Sequence, residues 1–209
     1  MAQKALIWDL DGTLFDSYQV IIPNARRTFL EFGVDYDPDY IRSYTLGISL
    51  GDLFIKTGKE YGCSSKALHK RYLELQAMRD HEIPPMLHAG EILSAMAERG
   101  IYNLVYTHKG DAAFDVLDRM GFTRYFTEIL TGDSGFARKP DPEAIFYLME
   151  KYNLTKENTF YVGDRPMDIR CAVNAGIRSI LLQPEGNGGT KTGEEDFVIR
   201  DLLEILDIV

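Results

Sequence analysis

Beyond residue 84, short apolar runs alternate with segments whose apolar residues recur every three or four positions. Apolar runs bounded by polar residues predict buried strands, and the wider spacing predicts amphipathic helices. The predicted strands lie at 4–8, 102–106, 128–131, 159–162 and 179–182. The predicted helices lie at 89–99, 111–120, 142–152 and 166–175. A short strand and a further helix are predicted within 197–209. This alternation indicates an α/β fold: a Rossmann-like parallel sheet covered by helices on both faces.

The region 16–83 has no strand signal and carries helical patterns instead. Its clearest helix repeats apolar residues at helical spacing: Leu68, Tyr72, Leu75 and Met78. The Pro84–Pro85 pair then breaks the chain. We therefore expect an inserted all-helical unit at 16–83, and a core domain formed by 1–15 and 84–209. A Gly-rich, charged stretch at 184–196 predicts a loop.

Charge and cysteine content narrow the possible partners. The formal net charge of −9 argues against nucleic acid or an anionic membrane, and no stretch approaches the roughly 18 apolar residues of a membrane span. Cys63 and Cys171 form neither a ligand pattern nor a disulfide framework, which favours a reducing, cytoplasmic setting. A small anionic substrate stays compatible with the charge if a bound divalent cation reverses the local field. We expect a monomer or a homodimer.

Polar side chains follow directly after several predicted strands. In open α/β sheets, ligands bind beyond the carboxyl ends of the strands, so residues at these positions meet at one edge. They are Asp9 and Asp11 after the first strand, Thr107, His108 and Lys109 after the second, Lys139 after the third, and Asp164 and Asp168 after the fourth. This edge therefore combines carboxylates with a hydroxyl group and lysines.

Such a set of side chains suits a phosphate and a hard cation. Carboxylates at short range repel each other unless a cation lies between them, and Mg²⁺ takes oxygen ligands together with waters and a substrate phosphate. A Thr hydroxyl and a Lys ammonium bind phosphate oxygens, and the turns at Gly12 and Gly163 can add backbone N–H groups. One Asp can attack phosphorus, while another two residues later exchanges protons with the leaving group and water.

Four motifs in order extend this pattern to a known family. They are DLDGTLFDS at 9–17, the apolar strand that ends in Thr107, Lys139 within RKPDP, and VGDRPMDIRCAVNAGI at 162–177. With these motifs the chain resembles the haloacid dehalogenase superfamily, in its phosphoglycolate phosphatase-like branch. The resemblance covers nearly the whole chain and implies that the helical unit at 16–83 is a cap domain.

The resemblance implies chemical roles for the acids. Asp9 corresponds to the nucleophile, with its other oxygen on Mg²⁺. Asp11 corresponds to the general acid and base, and its backbone carbonyl also reaches the metal. Asp164 corresponds to a direct ligand, so the implied Mg²⁺ site consists of Asp9, Asp11 and Asp164.

The resemblance also implies how the phosphate is held. Thr107 and Lys139 correspond to catalytic groups that bind the phosphate, and Lys139 also neutralises the nucleophile. Backbone N–H groups at Gly12 and His108 are expected to bind the substrate. Asp168 corresponds to an acid that binds metal waters or orients Lys139.

Some of these positions also have a plain structural interpretation. Asp168 is placed to stabilise the first turn of the helix at 166–175. The imidazole of His108 either contacts substrate or faces solvent. Lys109 and Arg165 are interpreted as surface residues near the mouth of the site.

Two other enzyme classes of the superfamily are the alternatives. A haloacid dehalogenase attacks carbon, has no acid at the position of Asp11 and needs no Mg²⁺. A sugar phosphomutase of the β-phosphoglucomutase type carries a His at the position of Ile21 and basic residues at those of Leu46 and Leu50. A response-regulator receiver, a non-enzyme alternative, distributes its acids over different strands. We therefore predict a Mg²⁺-dependent phosphatase that hydrolyses a small phosphorylated metabolite through an aspartyl-phosphate on Asp9.

Overall fold

A single parallel sheet forms the centre of the computed structural model, which describes residues 2–184 and 191–209. Its strands are β1 (Ala5–Trp8), β2 (Tyr102–Tyr106), β3 (Phe126–Leu130), β4 (Thr159–Gly163), β5 (Arg178–Leu182) and β6 (Phe197–Ile199). They lie in the order β3-β2-β1-β4-β5-β6, and all neighbours are parallel. The chain moves outward from β1 to β3 and resumes at β4 on the other side of β1. The crevice where such sheets bind ligands therefore lies at the carboxyl ends of β1 and β4.

Helices connect the strands and also form a group of their own between β1 and β2. They are α1 (Tyr18–Glu31), α2 (Pro38–Gly47), α3 (Leu50–Tyr61), α4 (Ser65–Arg79), α5 (Ala89–Glu98), α6 (Ala112–Met120), α7 (Glu143–Lys151) and α8 (Pro166–Ala175). Short 3₁₀ turns lie at Asp80–Glu82, Thr123–Tyr125, Lys156–Asn158 and Leu202–Asp207. The last one stands where the sequence predicted a terminal helix, and it buries Leu202 and Ile205. No helix within 2–184 and 191–209 combines the length and apolar character needed to cross a membrane.

The strand β1 is buried on both of its faces. Ala5 and Ile7 belong to an apolar cluster with residues of α7 and α8. On the other face, Trp8 Nε1 donates to Asn103 Oδ1 at 3.0 Å, and Asn103 Nδ2 donates to the Leu93 carbonyl of α5 at 3.1 Å. Helices on both sides explain why β1 is a continuous apolar run rather than an alternating one. The predicted fold class is thus confirmed.

The chain divides into two units by its internal packing. Met1–Asp16 and Pro85–Val209 form one unit, which contains the sheet, and Ser17–Pro84 form the other. The predicted cap domain at 16–83 remains a proposal about domain organisation. Of the predicted Gly-rich loop, residues 185–190 lie outside the described residues.

The helical unit Ser17–Pro84 has an apolar core of its own. Its centre includes Phe29 and Phe54, whose ring centroids lie 5.4 Å apart. In α4, Leu68 is fully buried at 0% exposure, whereas Met78 is 69% exposed, which corrects the predicted apolar stripe. Ten residues at about 100° each turn Met78 roughly 80° away from Leu68 around the helix, and so off the buried face.

Candidate active site

The register of the sheet brings three predicted site residues to one edge. The last residue of β1 is level with the fourth residue of both β2 and β4. Asp9, Thr107 and Asp164 therefore leave the sheet at nearly the same height. All three are buried, with exposed fractions of 1%, 1% and 5%.

Lys139 lies in the loop between β3 and α7, and its side chain is fully enclosed at 0% exposure. Its Nζ lies 3.1 Å from Asp9 Oδ1 and 2.7 Å from Asp168 Oδ1. The ring centroids of Tyr106 and Tyr161 lie 5.6 and 5.4 Å from Nζ, within the range of cation–π contacts. A buried ammonium is costly unless it is paired, and here two carboxylates pair with it.

The charges in this cluster shift one another's pKa values. Burial raises the pKa of Asp9, but the Lys139 ammonium and the Arg165 guanidinium outweigh burial, so the pKa lies below its usual value. Burial lowers the pKa of Lys139, whereas Asp168 and Asp9 raise it, and the net shift is upward. Asp9 is therefore ionised at neutral pH, which is the form a carboxylate nucleophile requires.

Asp168 has two contacts at once. Its Oδ1 accepts a hydrogen bond from Lys139 Nζ at 2.7 Å, and its Oδ2 accepts one from the backbone N–H of Arg165 at 3.0 Å, at the start of α8. The carboxylate thus has a contact for two of its predicted roles, to Lys139 and to the first helical turn. Gly163 leaves room for it, because a Cβ added there would lie 2.3 Å from Asp168 Cβ.

Asp9, Asp164 and Asp168 form a buried group that could hold a metal ion. One carboxylate oxygen from each lies within 4.8 Å of the others. A donor set made only of oxygens suits a hard cation such as Mg²⁺. Since both oxygens of Asp168 already accept hydrogen bonds, Asp9 and Asp164 fit the ligand role better. The side chain of Asp11 is not part of this group; its predicted ligand atom is the backbone carbonyl.

Asp11 lies on the more open side of the site. Its side chain is 22% exposed, and Lys109 Nζ lies 3.9 Å from its Oδ1. Arg165 Nη2 lies 3.5 Å from Asp9 Oδ2. The side chains of Lys109 and Arg165 are only 9% and 12% exposed, so their interpretation as surface residues is wrong. They follow the ends of β2 and β4, the two neighbours of β1 in the sheet, so their side chains lie beside the acids that follow β1.

The turn after β1 is closed by its own backbone. The Leu10 carbonyl accepts hydrogen bonds from the N–H groups of Leu14 and Phe15, at 2.9 and 2.8 Å. Gly12 has φ of +82°, a conformation that favours glycine. Its N–H donates to the Phe15 carbonyl at 2.8 Å. The turn itself therefore uses the Gly12 N–H, and phosphate binding by the Asp11–Gly12 turn stays a prediction.

Thr107 and His108 follow β2, and each has a defined partner. Thr107 Oγ1 accepts a hydrogen bond from the backbone N–H of Lys109 at 3.2 Å, which directs its own hydroxyl proton to another acceptor. His108 Nε2 accepts a hydrogen bond from the backbone N–H of Lys139 at 2.9 Å. The imidazole therefore packs against the loop of Lys139, a contact for which the sequence offers no local signal.

Comparison with known proteins defines the class of this protein. The family model described as "haloacid dehalogenase-like hydrolase" matches residues 6–182. The chain belongs to this family, which confirms the resemblance that the four motifs indicated.

Related proteins narrow the class further. A phosphoglycolate phosphatase of Vibrio vulnificus is 29% identical over 220 residues, covering 99% of this chain and 96% of the relative. The pyrophosphatase PpaX of Oceanobacillus iheyensis is 25% identical over 214 residues, covering 100% and 98%. The crystal structure of a predicted phosphoglycolate phosphatase from Haemophilus somnus shares the fold, with a TM-score of 0.85, 22% identity and coverage of 99% and 97%. The chain is thus an enzyme, a hydrolase of the phosphatase type, as its sequence predicted.

Proposed function

We propose that this protein is a Mg²⁺-dependent phosphatase that hydrolyses a small phosphomonoester through an aspartyl-phosphate on Asp9. The observation that carries the proposal is the environment of Asp9: its carboxylate is 1% exposed and lies 3.1 Å from Lys139 Nζ. An ionised carboxylate held beside a cation, at the ligand-binding edge of the sheet, suits attack on phosphorus.

In the first step, a carboxylate oxygen of Asp9 attacks phosphorus in line with the ester oxygen. The bond between phosphorus and the ester oxygen breaks, and protonated Asp11 gives its proton to the departing oxygen. The products are an alcohol and a mixed anhydride of Asp9 with phosphate. The partly exposed side chain of Asp11 suits this role, because it has access to the groups that exchange protons with it.

In the second step, Asp11 acts in the opposite direction. Its carboxylate takes a proton from a water molecule while the water oxygen attacks phosphorus. The bond between phosphorus and Asp9 breaks, and inorganic phosphate is released. Asp9 returns to a carboxylate and Asp11 to its protonated form, so the cycle balances.

Lys139 and Thr107 are proposed to bind the phosphoryl oxygens, where negative charge develops in both steps. Asp168 holds the ammonium of Lys139 in place through the hydrogen bond of 2.7 Å. The backbone N–H of His108 is a further proposed donor to the phosphate.

The proposed Mg²⁺ ligands are the side chains of Asp9 and Asp164 and the backbone carbonyl of Asp11. When bound, the cation would neutralise charge on the phosphate and on Asp9. Two cationic side chains, Lys139 and Arg165, lie near the three carboxylates of the group. The remaining negative charge favours a cation, and a divalent cation would leave the site net positive for an anionic phosphate.

The helical unit supports hydrolysis over phosphoryl transfer between sugar hydroxyls. Ile21 and Leu46, which occupy positions where the phosphomutases carry a His and a basic residue, are part of its apolar core, with exposed fractions of 8% and 6%. The presence of Asp11 supports phosphatase over dehalogenase chemistry. For substrates, the names of the relatives suggest two classes to compare, a phosphorylated hydroxy acid and inorganic pyrophosphate.

The test is phosphate release by the purified protein from p-nitrophenyl phosphate, phosphoglycolate and pyrophosphate, with Mg²⁺ and with EDTA. We expect steady turnover of at least one ester with Mg²⁺, loss of turnover in EDTA, and its return when Mg²⁺ is added in excess. Asp9→Asn should abolish turnover with every substrate. Turnover that persists without a divalent cation, or release of halide from a haloacid, would contradict the proposal.

A further inference from the structure

The residues on either side of Thr107 both bind the loop that carries Lys139. The hydroxyl of Tyr106 donates a hydrogen bond to the Ala137 carbonyl at 2.6 Å. The backbone N–H of Lys139 donates to His108 Nε2 at 2.9 Å. The end of β2 therefore holds the backbone of this loop two residues before Lys139 and at Lys139 itself.

The phenol ring of Tyr106 also forms a wall of the Lys139 pocket. Tyr106 is only 2% exposed, and its ring centroid lies 5.6 Å from Lys139 Nζ. Tyr161 fixes the backbone behind this ring, because its hydroxyl donates to the Tyr106 carbonyl at 2.7 Å. Burial raises the pKa of Tyr106, so its hydroxyl remains a donor at neutral pH.

His108 is suited to accept a hydrogen bond rather than to carry charge. Its pKa is lowered to about 3, mainly by burial and next by the nearby Lys139 ammonium, whose effect is larger than the opposite effect of Asp9. The imidazole is thus neutral at neutral pH. Since Nε2 accepts the N–H of Lys139, the ring carries its proton on Nδ1.

The loop needs such contacts because it has no regular secondary structure. Between the end of β3 at Leu130 and the start of α7 at Glu143, no helix or strand fixes Lys139. Its ammonium nevertheless has to lie within hydrogen-bond distance of Asp168 and close to Asp9. A shift of the backbone by about 1 Å at such a site can lower turnover 10²-fold.

We infer that Tyr106 and His108 form a clamp on the backbone at 137–139 that sets the position of the Lys139 ammonium between Asp9 and Asp168. Both are positioning residues that act through Lys139. The inference deepens the proposed function, on which its kinetic readout rests.

The direct test is the tautomer of His108 in the ¹⁵N-labelled wild-type protein. Two-bond ¹H–¹⁵N spectra at pH 7 should show a neutral ring with the proton on Nδ1, and the Lys139 ammonium resonance should shift in Tyr106→Phe. A proton on Nε2, a charged ring, or an ammonium resonance unchanged in Tyr106→Phe would overturn the clamp. This measurement needs no catalysis, so it decides the clamp even if the wild type hydrolyses no phosphate ester, a result that would count against the proposed function alone.

Kinetics of matched variants give the second readout. The side chain of Gln can accept the Lys139 N–H, whereas Met of similar size cannot. We expect His108→Met to lower kcat/KM about 10-fold, as for a lost hydrogen bond, and His108→Gln to retain several-fold more activity. Tyr106→Phe should lower kcat/KM about 3- to 10-fold. Tyr147→Phe is the control: it removes a tyrosine hydroxyl that donates a hydrogen bond to Glu128, and it should leave kcat/KM unchanged. Equal losses in the two His108 variants would overturn the clamp.

Discussion

Asp9 and Asp11 are two residues apart in the segment that follows β1, yet they lie in different environments. Asp9 is 1% exposed and lies between Lys139 and Arg165, at 3.1 and 3.5 Å. Asp11 has a side chain that is 22% exposed, and its nearest cation, Lys109, is 3.9 Å away. We call Asp9, Lys139 and Asp168 the closed half of the site, and Asp11 and Lys109 the open half.

The difference between the halves matches two different chemical tasks. A nucleophile gains from fixed charges and from the absence of water, because its ionisation and direction are then set before the substrate arrives. A group that donates and later accepts a proton needs access to the leaving group and to water. Side chains two residues apart can separate these tasks because Asp9 comes directly after β1, whereas Asp11 directly precedes the turn at Gly12, which has φ of +82°.

The largest contrast is expected from removing one lysine from each half. Lys139→Met leaves Asp9 and Asp168 buried without their shared cation, so kcat should fall about 10³-fold, and the metal-free protein should lose about 3–5 kcal/mol of unfolding free energy. Lys109→Met, the matched control in the open half, should lower kcat less than 10-fold. It should also cost less unfolding free energy than Lys139→Met, because Asp11 is partly exposed whereas Asp9 and Asp168 are buried. Urea unfolding and steady-state kinetics measure both. Equal effects of the two substitutions would remove the distinction between the halves.

The next effect concerns Asp11 and depends on the leaving group. In Asp11→Asn, an alkyl phosphate should be hydrolysed about 10²- to 10⁴-fold more slowly, because its alkoxide leaves only with a proton. With p-nitrophenyl phosphate the first step should stay fast, since the phenolate leaves without a proton. The phosphoenzyme should accumulate, because its hydrolysis still needs Asp11 as the base. A burst of p-nitrophenol followed by slow turnover is the expected signal in rapid mixing. The same loss for both substrates, with no burst, would contradict the assignment of Asp11 as the acid.

A smaller effect is expected from displacing Asp168 without changing its charge. Gly163→Ala would place a Cβ 2.3 Å from Asp168 Cβ, so the Asp168 side chain has to shift from its present position beside Lys139. We expect kcat to fall about 10²-fold. Gly47→Ala is the control, because a Cβ there would meet no atom within 4 Å. Unchanged kcat in Gly163→Ala would show that the position of Asp168 does not matter for turnover.

The last effect concerns stability rather than turnover and is a pH dependence that arises from His108. Its pKa is lowered from 6.5 to about 3, by burial first, then by Lys139, Arg165 and Arg138, against the opposing effect of Asp9. The unfolded chain therefore binds a proton at a higher pH than the folded one, so this contribution is complete above pH 6.5 and is lost as the pH falls towards 3.

Unfolding free energies of wild type and His108→Gln, measured between pH 7 and pH 4, isolate this contribution, because the carboxylates are common to both. The wild type should lose up to about 1.4 kcal/mol per pH unit more than the variant. Parallel curves would show that His108 is not held neutral by its surroundings.

Much of the fold followed from the sequence because the central strands are buried on both faces. The run Ala5–Trp8 is apolar throughout, and Tyr102–Tyr106 is interrupted only by Asn103. Both alternate with helices, so few arrangements other than a parallel sheet can bury them. The acidic and basic side chains at the strand ends could be found for the same reason: the carboxyl ends of parallel strands share one edge.

The rest of the fold and of the site depends on contacts between residues far apart in the sequence, which no local sequence pattern indicates. The hydrogen bonds of Tyr106 and His108 to the loop of Lys139 each join residues 31 positions apart. Lys109 and Arg165 look like exposed charges in the sequence, and they are largely covered only because adjacent strand ends are close together. Met78 matched the helical stripe by spacing alone, although α4 has already turned it away from the core.

The most direct test of the account is to find the phosphate on the enzyme. The protein is mixed with Mg²⁺ and a ³²P-labelled ester, quenched in acid within milliseconds, and digested for peptide mapping by mass spectrometry. We expect label on the peptide that contains Asp9, more of it in Asp11→Asn, and none in Asp9→Asn, whose kcat should fall by at least about 10⁴-fold. Label on another residue, or Asp9→Asn turning over at the wild-type rate, would contradict it.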